Sequence, residues 1–64
     1  MITIKFETAN ESFDNFSKGV NYVLLQVQNI ANDIEENSKK YHLPATFSLI
    51  DENGNVVGST KFTK

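Results

Sequence analysis

The sequence predicts an α+β fold: a three-stranded, mainly antiparallel sheet with one helix packed on one face, in the order β-α-β-β. Three observations carry this. The N-terminal residues alternate strictly between apolar and polar, one long apolar stripe recurs at helical spacing, and an Asn-Gly pair sits between two β-prone runs.

Residues 2–8 place Ile2, Ile4 and Phe6 on one face and Thr3, Lys5 and Glu7 on the other, the pattern of a half-buried strand. The next tract carries the cap candidates Asn10, Ser12, Asp14 and Ser17, none of them singled out by a capping box. From Val20 the apolar residues fall at 20, 23, 24, 27, 30, 31 and 34, one stripe of an amphipathic helix. The spacing predicts a helix over 17–36, with room for an earlier turn from 12. Phe13 and Phe16 extend the stripe upstream and are expected to fold over the sheet as a lid. Lys39 and Lys40 follow the helix, where its dipole favours cations, and Pro44 bars its continuation.

Runs 45–51 and 56–63 flank Glu52-Asn53-Gly54-Asn55. Asn-Gly favours a two-residue type I′ turn, whose central residues both take positive φ. That turn pairs 51 with 56 and puts Ala45, Phe47, Leu49, Val56, Gly58, Thr60 and Phe62 on one face. Thr46, Ser48, Ile50, Val57, Ser59 and Lys61 share the other. The last strand is expected in the middle of the sheet, antiparallel to both neighbours. The core is then Ile2, Ile4, Phe6, Phe47, Leu49, Val56 and Phe62 against the helical stripe.

Composition bounds the function. A chain of 64 residues without cysteine reads as a single domain, 1–64, with neither disulfide framework nor thiolate metal site. No apolar run approaches a membrane span and no leader pattern opens the chain, so the expectation is a soluble cytoplasmic protein. The net charge is −2, and lysine is the only strong base, with no arginine. Arginine supplies the planar fork that reads phosphates and guanine edges, so nucleic-acid binding is disfavoured.

No catalytic constellation emerges. His42 is the lone histidine, and no spacing places a serine or acid beside it. Asp51–Asn55 superficially resembles a calcium loop, but its glycine is at position 4 and Phe62 stands where a bidentate glutamate is needed. Asp33, Glu35 and Glu36 read as a solvated charge cluster or an acidic patch facing a partner. The sequence therefore points to a non-enzyme with no metal and no cofactor.

What remains is surface. One helix leaves a sheet face uncovered and two edges open, and chains this small commonly gain stability by oligomerising. Tyr22, Leu25 and Asn29 lie opposite the buried stripe, Ile50 and Val57 form an apolar pair on the outer sheet face, and Tyr41 and His42 stand in the connector. These seven are the candidate partner-binding residues, and a homodimer is expected. Two alternatives stay open: Lys39, Lys40, Lys61 and Lys64 gripping nucleic acid while Tyr41 stacks on a base, or a pocket at a subunit interface that sequesters a signalling nucleotide.

The strand Ile2–Thr8 with Asn10 and Phe13, the helix Val20–Ile34, and Leu49-Ile50-Asp51-x-Asn53-Gly54-Asn55-x-Val57-Gly58 together resemble very small, mostly uncharacterised proteins encoded by bacteriophages. The likeness covers nearly the whole chain. The tract 37–46 departs from it, being longer and more basic than the short glycine-rich link of that pattern. The resemblance implies a phage accessory protein of the infected cell's cytoplasm, one that occludes a host enzyme or a defence protein such as a CRISPR effector or restriction enzyme. It supplies no site residues.

Overall fold

The computed structural model describes residues 1–64. It contains β1 (Ile2–Phe6), a single 3₁₀ turn (Glu11–Phe13), α1 (Phe16–Glu36), β2 (Ala45–Ile50) and β3 (Val56–Phe62). The sheet order is β1-β3-β2 with both pairings antiparallel, so the last strand is central as the sequence predicts. Asn10 caps the 3₁₀ turn by accepting the Ser12 N–H, and Asn15 caps α1 by accepting the Lys18 N–H. Each side-chain oxygen satisfies a backbone donor that has no partner within its own helix. No helix is long and apolar enough to cross a membrane.

The core is Phe13, Val23, Val27, Leu49, Val57 and Phe62, with Phe6, Val20, Ile30, Ala31, Ile34, Leu43 and Phe47 packed around it. Phe13 does fold inward as a lid: its ring stacks on Phe6 at 6.1 Å between centroids. Phe16 does not, and its side chain is exposed.

The hairpin differs from expectation in an instructive way. Gly54 has φ +83° and no other residue has positive φ, so Asn53 cannot be part of a type I′ turn. Instead the loop is three residues long, closed by Asp51 N–H to Asn55 O at 2.9 Å and Gly54 N–H to Asp51 O at 3.0 Å. The Asp51 carboxylate selects this loop, because its Oδ1 accepts the N–H groups of both Asn53 and Asn55 at 2.9 Å. A three-residue loop alone would shift the whole register by one residue and turn polar residues inward. A bulge prevents this: Leu49 pairs with Gly58 but Ile50 pairs with Val56, leaving Val57 as the extra residue. Beyond the bulge the expected pairs 47–60 and 45–62 hold.

The bulge reverses the parity at 56 and 57. Val57, expected on the outer face, is 9% exposed and in the core, while Val56, expected in the core, is 67% exposed. The outer apolar pair is therefore Ile50 with Val56.

A second departure concerns coverage. Ile2, Ile4 and Leu24 were expected in the core, yet all three are exposed. Ile2, Ile4 and Phe6 do pair with Phe62, Thr60 and Gly58 on the helix side of the sheet. The helix lies against β2, with fewer contacts to the other two strands, so it roofs one edge of the sheet and leaves Ile2 and Ile4 of β1 uncovered. One helix, about 10 Å wide, cannot cover three strands about 4.8 Å apart.

Gly58 admits β1 to the sheet. A Cβ at this position would overlap the Lys5 carbonyl and lie 2.5 Å from Phe6 Cα, whereas a Cβ at Gly54 meets nothing. Gly58→Ala is expected to cost about 3 kcal/mol by forcing β1 away. Gly54→Ala should cost only about 1 kcal/mol, the penalty of a left-handed backbone. Urea unfolding of the two variants checks the ranking.

Candidate functional site

Two flanks of α1 differ in what they meet. On the β2 side, Gln26 reaches across to the strand: its Nε2 donates to Ile50 O at 2.6 Å, and Ile50 N–H donates to its Oε1 at 3.0 Å. The side-chain amide thus makes the two hydrogen bonds that a neighbouring strand would make to that residue. At 100° per residue, Tyr22, Leu25, Asn29 and Asp33 follow Gln26 around the same side of the helix. Tyr22, Leu25 and Asn29 are exposed, as the sequence predicts. The Gln26 bridge brings them beside Ile50, which is exposed on the outer sheet face with Val56. The result is a ridge wrapping the β2 edge, built from Tyr22, Leu25, Asn29, Ile50 and Val56.

The connector residues separate. Tyr41 is half-buried: its hydroxyl donates to the Asp33 carboxylate, and its ring meets Phe47 edge-to-face at 5.9 Å. Lys40 Nζ lies 5.5 Å from the centre of the same ring. The hydrogen bond to Asp33, then burial, then the negative charge of Asp33 raise the Tyr41 pKa above its ordinary value. Tyr41 anchors the connector to the helix and β2. His42 is exposed and lines an open hollow of about 500 Å³ with Ile34, Glu35, Ser38, Tyr41, Leu43 and Lys64. No hydrogen bond joins His42 to Ser38 or Glu35. No group of three or more His, Asp or Glu side chains is placed to hold a metal ion. The acidic end of the helix is partly used internally, since Asn37 donates to the Asp33 carboxylate at 2.8 Å.

No protein-family model, curated protein or solved structure matches this chain.

Sequence reasoning missed three residues. Gln26 carries no signal, since a polar residue on a helix flank is ordinary. Val56 was hidden by the bulge. Asp51 stood in a turn motif, but its burial was not legible: it is 1% exposed and gathers the chain's densest hydrogen-bond cluster. Besides the two backbone donors, its Oδ2 accepts from Asn10 Nδ2 and Ser12 Oγ, each at 3.0 Å. Burial by itself raises the carboxyl pKa, but the hydrogen bonds from Asn55, Ser12 and Asn53 outweigh it and hold the value below the ordinary carboxylate range.

A depressed folded pKa stabilises the fold in full above the unfolded value of about 3.9 and ceases to do so as pH falls through the lowered folded value. Asp51→Asn is therefore expected to lower the Tm at pH 7, because an amide NH₂ replaces one of two oxygens, each of which faces at least two donor groups. The gap from wild type should narrow steadily below about pH 4. Thermal unfolding across pH 2–7 measures both.

Proposed function

We propose that the chain is a non-catalytic binding protein of the infected cell's cytoplasm. It obstructs a host enzyme or a defence protein, such as a CRISPR effector or restriction enzyme, by covering part of that protein's surface. The observation that carries this reading is the ridge at the β2 edge, where Tyr22, Leu25, Ile50 and Val56 stand exposed on a scaffold held by the Gln26 bridge. Tyrosine is a usual energetic anchor of interfaces, exposed aliphatic side chains beside it add apolar area, and a rigid backbone beneath them reduces the entropy lost on binding. The resemblance to small phage proteins supports the setting, and the net charge of −2 favours a partner with a basic surface.

The nucleic-acid alternative loses its stacking residue, because Tyr41 already has its ring against Phe47 and Lys40 and its hydroxyl on Asp33. The signalling-nucleotide alternative would use an open hollow such as that of the connector, which carries one lysine, Lys64.

Affinity capture from an infected-host lysate, with wild type and Tyr22→Ala/Leu25→Lys side by side, tests the reading. Both positions are exposed, so the variant should keep its circular dichroism spectrum while its affinity for the captured protein falls about thirty-fold, as for loss of about 2 kcal/mol at an anchor. Equal capture by wild type and variant would remove the ridge from the mechanism.

A further inference from the structure

We propose that the free edge of β1 pairs with the β1 edge of a second copy of this chain, antiparallel about a two-fold axis at Ile4. The product is a six-stranded sheet with both helices on one face. This surface lies on the opposite side of the molecule from the β2 ridge, so the inference stands independently of the foreign partner.

The backbone supplies the first argument. Met1 O accepts from Thr63 N–H and Glu7 N–H donates to Val57 O, both at 2.8 Å, so the odd residues of β1 direct their polar groups toward β3. In an antiparallel ladder the even residues then direct theirs outward. Ile2, Ile4 and Phe6 thus offer their N–H and C=O groups along an open edge, the arrangement that invites another strand. The opposite edge is different, because Gln26 already occupies Ile50 at the hairpin end of β2.

The side chains supply the second. A two-fold axis at Ile4 pairs Ile4 with its symmetry mate and Ile2 with the partner's Phe6, so every inward-facing pair is apolar and every outward-pointing backbone group of the strand is matched. On the outer face Thr3 meets Lys5, and the Met1 side chain meets Glu7. Shifting the axis to Lys5 would set two lysines directly against each other. The pairing is isologous and closes on itself.

Exposed area supplies the third. Ile2, Ile4, Phe16 and Leu24 are between 39% and 61% exposed. The flank of α1 opposite Gln26 carries Leu24, and Phe16, Val20 and Leu24 line one open hollow there. At roughly 200 Å² for each large side chain, Ile2 and Ile4 leave about 180 Å² of apolar surface per copy on the pairing strand itself. With the paired backbone and the row Thr3, Lys5 and Glu7, the interface lies at the small end of specific ones.

The chain has no cysteine, which makes disulfide trapping clean. Thr3 and Lys5 are exposed on the outer face, and across the proposed interface they form a non-hydrogen-bonded pair, with Cα atoms about 4.5 Å apart. Mixing Thr3→Cys and Lys5→Cys proteins under mild oxidation should give a cross-linked heterodimer in preference to either self-linked species. Light scattering should show wild type at twice the 7.2 kDa chain mass. Ile4→Lys, which buries like charges at the axis, should be a folded monomer, and Ile50→Lys should remain a dimer. Self-linked Thr3→Cys or Lys5→Cys as the main product would overturn the register. A wild-type monomer at high micromolar concentration, or an Ile4→Lys protein that stays dimeric, would overturn the interface. Capture of a foreign protein by the Ile4→Lys monomer separates this result from the fate of the β2 ridge.

Discussion

The carboxylate of Asp51 is the constraint on which the rest of this small fold depends. A buried charge is tolerated only when its lone pairs are filled, and here donors arrive from both ends of the chain: Asn10 and Ser12 from the β1–α1 connection, Asn53 and Asn55 from the hairpin. One side chain thereby ties the start of the helix to the turn of the last two strands. It also decides the loop length, and through the loop length the need for a bulge at Val57. Position 57 enters the core because position 51 is a carboxylate six residues earlier.

From that knot the placement of the helix follows. With its N-terminal end held near the hairpin by the 3₁₀ turn and its flank hydrogen-bonded to Ile50, α1 lies along the β2 side of the sheet. Tyr41 extends the same attachment by joining Asp33 to Phe47. The 21-residue helix is about 30 Å long, longer than any strand, so its last turn overhangs the sheet and leaves the connector hollow beneath it.

Much of this architecture was legible in the sequence because two periodicities speak plainly. Period two gave the first strand, and the Val20–Ile34 stripe gave the helix to within one residue of its start. The central position of the last strand and the exposure of Tyr22, Leu25 and Asn29 also followed from pattern alone. What failed had a common cause. Alternation tells which face a residue occupies but not whether anything sits over that face, so Ile2, Ile4 and Leu24 were assigned to a core that does not extend to them. A bulge has no compositional signature here, since Val56 and Val57 are identical residues and either satisfies the pattern. Tyr41 looked like an exposed connector aromatic because its partner Asp33 is eight residues away, on the far side of the helix end.

The Gln26 bridge has a consequence for how such a chain behaves in a crowded cell. A sheet with both margins bare is a template that copies itself in two directions, and nothing in hydrogen-bond geometry halts the growth. By setting a glutamine head group borrowed from the helix against the hairpin end of one margin, this molecule shortens the stretch of that edge open to strand addition. The proposed two-fold pairing uses up the β1 margin of both copies, which separates a finite assembly from a fibril at that edge.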